Sequence, residues 1–390
     1  MTEPAKKVLI FSTAYLPMVG GAEIAVKEIT DRFSEVEFDL ITARIDPTLT
    51  DVEKIGRVTV YRVGYGNKFD KFFLPILGTL KARELITKNS YTHLWSIMAG
   101  QASVACTFVK KLFPHIPLVL TLQEGDEEEY LARYVGGNIF LYWLLIRPWH
   151  LMVFKRADQV TVISEYLRKR AETNGIRVPI TLVPNGVDAE KFTLTDSQFS
   201  NEDRKILRAK LGFLENDTVL ITTSRLVEKN AVDDIIKALV LLPNTVKLLI
   251  VGTGSLEASL RAVVSGYQLE KRVVFAGFVS PAEIPKYLKI SDIFVRPSLS
   301  EGFGNSFIEA MAAGIPVIAT PVGGIVDFLA DQSTGLFCLT KDPKSIADKV
   351  TLLMSDKKLS DHLVETARSM VVARYDWGIV ASRMQGVFGK

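Results

Sequence analysis

The feature that most restricts the fold of this 390-residue chain is a rhythm: short β-branched runs alternate with helically spaced stretches, break off once, and begin again. The first series is Val8-Leu-Ile-Phe11, Phe38-Asp-Leu-Ile-Thr42, Val58-Thr-Val-Tyr61, Leu94-Trp-Ser-Ile97, Leu118-Val-Leu-Thr121, Val160-Thr-Val-Ile163 and Ile180-Thr-Leu-Val183. Between most of them the apolar positions follow a helical period, as in Ala22, Ala25, Ile29 and Phe33, which share one face. A strand-helix-strand alternation implies a largely parallel sheet. The rhythm stops in a polar, turn-rich stretch from Thr193 to Asp203. It then resumes with Val219-Leu-Ile-Thr222, Lys247-Leu-Leu-Ile-Val251, Val273-Val-Phe275, Ile293-Phe-Val295 and Pro316-Val-Ile-Ala319. These runs are nearly all apolar, as strands covered on both faces must be. The expectation is an α/β protein of two Rossmann-like domains facing a central cleft, residues 1–188 and 189–375. A last helix, 376–390, either caps the second domain or crosses back to the first.

Length supports two domains, because 390 residues exceed what one core usually serves. Lys and Arg number 47 against 44 Asp and Glu, a surplus of +3 that argues against nucleic acid as the main partner. Cys106 and Cys338 are too few for a disulfide framework or a cysteine zinc site. The histidines, His93, His115, His150 and His362, show no metal-ligand spacing. The apolar run from Val8 to Phe11 is much shorter than a signal-peptide core, so a cytoplasmic protein is expected, with peripheral contact at the inner face of a membrane left open.

Ligands of doubly wound sheets bind beyond the carboxyl ends of the strands. The richest such loop follows Ile293-Phe-Val295 and contains Glu301-Gly-Phe-Gly-Asn-Ser-Phe-Ile-Glu309. Helical spacing starts near Asn305, where Asn or Ser can cap the helix. Amides near Gly304, Asn305 and Ser306 then favour a phosphate, through unpaired donors and the helix dipole together. Gly302 and Gly304 let the backbone approach. Glu309, about one turn in, can accept from a ribose diol, and Glu301, ahead of the helix, can face a sugar. An arbitrary pair of glutamates is far more often two solvated surface carboxylates, and it is the surrounding Gly-Phe-Gly-Asn and the apolar helix that argue against that here.

The whole segment resembles the E-x7-E signature of the family-four retaining glycosyltransferases, which have the GT-B fold. The resemblance runs along nearly the entire chain. Gly20-Gly21-Ala22-Glu23 resembles the family's glycine loop, Pro184-Asn-Gly-Val-Asp188 its interdomain crossing, and Ser224-Arg-Leu-Val-Glu-Lys229 its diphosphate-binding turn. Val251-Gly-Thr-Gly254, Phe275-Ala-Gly-Phe278 and Thr320-Pro-Val-Gly-Gly324 follow in the family's order. The resemblance implies transfer of a sugar from a nucleoside diphosphate sugar to an acceptor hydroxyl of a glycan or lipid, with retention and without metal or other cofactor. Glu301, Arg225 and Lys229 are the implied catalytic groups. Gly21, Phe278, Phe303, Gly304, Asn305, Ser306 and Glu309 join them in holding the donor, and closure of the domains would complete the site. The glycine pair also has a purely structural explanation, a tight turn requiring positive φ.

Two places depart from the family. A Lys-Gly pair commonly follows the diphosphate turn, whereas this chain has Lys229-Asn230-Ala231, with Asn230 as a stand-in should Lys229 not serve. Gln123 occupies the position of a frequent histidine after Leu118-Val-Leu-Thr121, and an amide there can bond a sugar hydroxyl without titrating. Glu124 and Asp126 are acceptor-side or acid/base candidates beside it, or simply a solvated acidic loop.

Other readings remain open. Gly252-Thr-Gly254 lacks the third glycine of a dinucleotide fingerprint, which argues against a dehydrogenase. A sugar-nucleotide epimerase shares the architecture, and a non-catalytic sugar-nucleotide binding protein would show no turnover. Residues 138–156 carry Phe140, Trp143, Trp149 and Phe154 beside Arg147, Lys155 and Arg156. Pro148 and Arg147 rule out a span, leaving either a buried helix or one lying on an anionic membrane.

Overall fold

The alternation resolves into two sheets in a computed structural model that describes residues 6–18, 20–123, 138, 140, 147–195 and 197–389. One unit comprises Met1–Asn185 and Trp377–Lys390, the other Gly186–Asp376. In chain order the first holds β1 (Lys6–Phe11), α1 (Gly21–Asp31), β2 (Val36–Ala43), β3 (Val52–Ile55), β4 (Val58–Val63), α2 (Asp70–Lys88), β5 (His93–Ile97), α3 (Gln101–Leu112), β6 (Leu118–Leu122), α4 (Arg147–Arg156), β7 (Gln159–Val162), α5 (Glu165–Thr173) and β8 (Ile180–Leu182). The strands run side by side in the order β3-β4-β2-β1-β5-β6-β7-β8, parallel except for β3 against β4. Alternation along each strand separates two cores. Val8, Ile10 and Trp95 pack on one face, while Leu9, Phe11 and Leu94 pack on the other with Leu74, Ala82 and Ala105 from α2 and α3.

The second unit holds α6 (Ala189–Phe192), α7 (Asn201–Lys210), β9 (Thr218–Thr223), α8 (Val232–Leu239), β10 (Val246–Val251), α9 (Glu257–Gly266), β11 (Val273–Gly277), α10 (Ile284–Lys289), β12 (Ile293–Arg296), α11 (Asn305–Ala312), β13 (Val317–Ala319), β14 (Leu336–Phe337), α12 (Pro343–Ser355) and α13 (Lys357–Tyr375). Its sheet is wholly parallel, ordered β11-β10-β9-β12-β13-β14. Leu220, Leu248, Ile250 and Val295 face α8, α9 and α12, and Phe294 on the other face meets Phe307 of α11 edge-on at 5.4 Å.

The chain passes between units inside Pro184-Asn-Gly-Val-Asp188, at Asn185–Gly186, and returns at Asp376–Trp377. The polar stretch from Thr193 to Asp203 therefore lies within the second unit. There it starts α7 with a reciprocal cap: the Ser200 hydroxyl accepts from the Asp203 amide at 3.1 Å, and the Asp203 carboxylate accepts from the Ser200 amide at 2.9 Å. The last helix, α14 (Trp377–Phe388), belongs to the first unit, where Phe388 meets Trp95 at 5.4 Å and Phe33 at 6.1 Å. β3, an exposed and charged edge strand, carries no apolar alternation that would mark it in sequence.

Each sheet has one place where successive strands reverse direction of growth, between β1 and β5 in the first and between β9 and β12 in the second. Loops leaving those strands open a crevice at their carboxyl ends. Among the described residues no helix is long and apolar enough to cross a membrane. In α4, Val153 is buried and Trp149 is about half exposed, its ring edge-on to Phe108 at 6.4 Å. Residues 139 and 141–146, Trp143 among them, lie outside the described residues.

Candidate active site at the reversal of the second sheet

The loops after β9 and β12 are tied together by their main chains: the Leu299 amide donates to the Lys229 carbonyl at 2.7 Å. The first of these loops carries Arg225, exposed, and Lys229, half-buried. Its shape is fixed from within. Asn230 is buried and its amide donates to the Arg225 carbonyl at 2.6 Å. Asn230 is therefore a brace for the cationic turn rather than a substitute for Lys229. Ala231 follows in the left-handed region at φ 47 and ψ 43. The loop after β10 packs tightly behind: a Cβ on Gly252 would lie 2.0 Å from the Ser224 carbonyl oxygen, and one on Gly254 would lie 2.3 Å from that of Leu226. Those glycines serve backbone packing.

The second loop carries Glu301, whose carboxylate accepts from Arg296 Nη2. Arg296 ends β12 and is buried. Its Nη1 donates to Ser306 Oγ at 2.6 Å, its Nε to Ser298 Oγ at 3.1 Å, and its guanidinium lies 4.4 Å from the centre of the Phe307 ring. One side chain thus joins the strand end, Glu301 and the first turn of α11. Nothing in the sequence distinguished this arginine from an exposed one. The Glu301 main chain is clamped as well, because Gly324 donates its amide to the Glu301 carbonyl at 3.1 Å. Gly323, at φ +55, leaves no room there: a Cβ would fall 1.8 Å from the same oxygen. Gly323 of Thr320-Pro-Val-Gly-Gly324 is thereby accounted for.

α11 begins differently from the sequence expectation. Its N-cap is Gly304, left-handed at φ 96, and no side chain caps it; Asn305 is the first helical residue. A Cβ at Gly304 would meet the Phe307 ring at 2.5 Å, which explains the glycine. Ser306 presents its hydroxyl to Arg296, and a helix start of this kind concentrates positive potential. Phe303, expected among the donor contacts, has its ring buried between Phe328 at 5.3 Å and Tyr375 at 5.5 Å. Its side chain is part of the core, so only its main chain can meet a ligand. Glu309 lies in the second turn, half-buried. Loss of solvation pushes its carboxyl up to about 7, against the opposing pull of Lys191 and Arg296. Phe278, after β11, stands 70% exposed and free to stack on a flat ligand.

In the first unit, Gly20 precedes α1 and Gly21 is its first residue. Gly20 has an extended backbone, φ −135 and ψ 176, so the tight-turn explanation does not hold. A Cβ there would meet only the carboxylate end of Glu23, at 2.4 Å from Oε2, a side chain that can swing aside. Burial raises the Glu23 carboxyl above its ordinary value. Gln123, half-buried, follows β6 at the carboxyl edge. Glu124 and Asp126 lie outside the described residues. Met98, after β5 at the reversal of the first sheet, is left-handed at φ 61, a strained conformation that sequence reading missed.

Two parallel Rossmann-like sheets, with cations and carboxylates gathered at the reversal of the second, define a GT-B glycosyltransferase. Residues 19–191 match the Glycosyltransferase Family 4 model, and residues 203–370 match that of Glycosyl transferases group 1. The chain belongs to this family. It is 28% identical to an uncharacterized glycosyltransferase of Methanocaldococcus jannaschii, over 98% of this chain and 97% of that protein. A GDP-mannose-dependent monoacylated alpha-(1-6)-phosphatidylinositol monomannoside mannosyltransferase of Corynebacterium glutamicum is 30% identical over 59% of this chain and 61% of its own. In fold the chain resembles Anabaena HepE in complex with UDP and glucose, at a TM-score of 0.79 and 19% identity, covering 99% and 100% of the two chains.

Proposed function

We propose that this glycosyltransferase is a retaining, metal-independent hexosyltransferase that uses a nucleoside diphosphate sugar and acts on a hydroxyl of a glycan or lipid-linked acceptor. The observation that carries this reading is the hydrogen bond between Leu299 and Lys229, which holds the Arg225–Lys229 turn beside the Glu301 loop. Cations aimed at a departing diphosphate stabilise charge that develops in the transition state. In this reading Arg225, Lys229 and the start of α11 take the diphosphate, Glu309 takes the ribose diol, and Glu301 orients the donor sugar. The bond from the anomeric carbon to the diphosphate oxygen breaks as the acceptor oxygen bonds to the same face. The acceptor proton passes to the leaving phosphate oxygen. The names of relatives that use GDP-mannose on a phosphatidylinositol mannoside, and of a fold neighbour holding UDP and glucose, support the donor and acceptor classes. The acceptor side is assigned to Gln123, and membrane contact through 138–156 belongs to the same reading.

The test is a panel of nucleotide sugars screened by thermal shift, since only a tight donor moves the transition. Transfer is then assayed for wild type, Glu301→Gln and Glu309→Ala, with and without EDTA. Stabilisation by one donor, loss of transfer in both variants, an unchanged rate in EDTA and an anomerically retained product support the proposal. Full activity of Glu309→Ala with unchanged donor affinity removes the ribose assignment, magnesium-restorable loss in EDTA removes metal independence, and donor isomerisation without acceptor shows an epimerase.

A further inference from the structure

Arginine has N–H donors and no acceptor, so every polar group it bonds is obliged to accept. At the end of β12 the Arg296 fork is engaged along its whole length. Nη2 bonds Glu301 Oε2, Nη1 bonds Ser306 Oγ at 2.6 Å and reaches the Thr223 carbonyl at 3.4 Å, and Nε bonds Ser298 Oγ at 3.1 Å. The guanidinium also lies 4.4 Å from the centre of the Phe307 ring, and the residue is 6% exposed. These contacts hold the fork in one orientation. Phe294, two residues earlier on the same strand, packs on the same Phe307 ring without a polar atom. An apolar side chain could therefore fill position 296, and a buried guanidinium is costly unless well paired. Packing alone does not call for the charge.

The bonds show what the charge does. Among the described residues Arg296 is the one hydrogen-bond partner of the Glu301 carboxylate, and it takes Oε2. Oε1 is left as an acceptor. Ser306, the second residue of α11 and half-buried, accepts through Oγ, so its own hydrogen is left to donate. One guanidinium thus gives opposite polarity to the side chains on either side of the Gly302–Gly304 turn. Glu301 can receive a sugar hydroxyl, and Ser306 can donate to a phosphate oxygen at the positive end of the helix.

We propose that Arg296 is a positioning residue for the transfer, fixing Glu301 as an acceptor toward the donor sugar and Ser306 as a hydroxyl donor toward the diphosphate. The inference rests on the reading that puts the sugar at Glu301 and the diphosphate at the start of α11. It is tested by calorimetric titration of the full chain with UDP, GDP, ADP and dTDP and with the glucose and mannose conjugates of each. Hydrolysis of a bound conjugate gives the turnover. Ser306→Ala is expected to weaken the free nucleoside diphosphate and its conjugate alike, about tenfold. Glu301→Gln leaves the free diphosphate unaffected and slows turnover at least about tenfold. Arg296→Lys, which keeps the charge but not the fork, does both. In Glu301→Gln/Ser306→Ala, which lacks both groups the arginine orients, adding Arg296→Lys changes neither quantity further, whereas a merely structural role would add its own loss. Should Arg296→Lys not fold, Ser298→Ala, which removes only the Nε anchor, is expected to slow turnover about threefold and to lose that effect in the same background. Arg296→Lys that leaves either quantity at its wild-type value, or a loss undiminished in that background, overturns the inference while the donor site stands. Glu301→Gln/Ser306→Ala that binds and turns over like wild type, or wild type that binds none of these nucleotides, overturns the donor-site reading and the inference together.

Discussion

Arg296 holds Glu301 and Ser306 at once, donating through Nη2 to the carboxylate and through Nη1 to the hydroxyl. Side-chain exposure is 8% for Arg296 and 15% for Glu301, so neither charge has water to fall back on. Arg296→Met is expected to destabilise the second unit by ~3 kcal/mol, because it strands a buried carboxylate. Arg296→Met/Glu301→Gln recovers much of that loss, which a double-mutant cycle measures as coupling. All tryptophans fall in the first unit, so fluorescence follows that unit and circular dichroism follows both. Additive losses in the cycle contradict the pairing.

The Glu309 carboxyl, raised to about 7 by burial, makes two pH effects of opposite sign. Between the ordinary glutamate value of about 4.3 and about 7, the folded chain holds a proton that the unfolded chain has released. Stability therefore falls as pH rises through that window, and Glu309→Gln flattens the slope. A ribose diol donates to the ionised carboxylate, so donor affinity rises over the same range. Thermal melts with and without donor, at a series of pH values, check both; a donor affinity indifferent to pH contradicts the ribose contact.

Gly323→Ala should cost activity far more than its chemistry suggests. The added methyl competes with the Glu301 carbonyl oxygen for the same space, at a backbone angle that disfavours any side chain. A displacement of Glu301 by about 1 Å is expected to lower kcat about 10²-fold. Steady-state kinetics decide it, and a wild-type rate would show that the loop yields instead.

Ala231 sits left-handed and buried just before α8. Ala231→Gly removes a conformational cost of ~1–2 kcal/mol and gives back part of it through greater freedom of the unfolded chain. The expected net gain is about 0.5–1 kcal/mol in the second unit, read by chemical denaturation, with turnover unchanged.

Apart from the edge strands β3 and β14, both sheets were legible in sequence because their strands are apolar runs bounded by turn formers. The segment from Glu301 to Glu309 was legible as a strand-end loop that runs into an apolar helix, because its glycines and its helical spacing are local signals. What stayed hidden depends on packing between segments distant in the chain. The inward turn of Arg296 needs Phe307 and Ser306 in place around it. Phe303 reads as a lining residue until Phe328 and Tyr375 close over it. Gly20 and Asn305 show the limit of local rules. The first is a glycine on extended backbone, where no positive angle calls for one, and the second follows a cap that has no side chain.

The bond from Leu299 to Lys229 involves no side chain at either end. Exposed side chains such as Arg225 can be replaced without removing either partner of that bond, whereas proline at 299 would remove its donor. The distance between the cationic turn and the Glu301 loop is therefore inherited from the backbone. On the proposed reading of the donor site, exposed side chains around it can be exchanged for a different sugar or base while the spacing of the two loops, held by main chain, stays as it is.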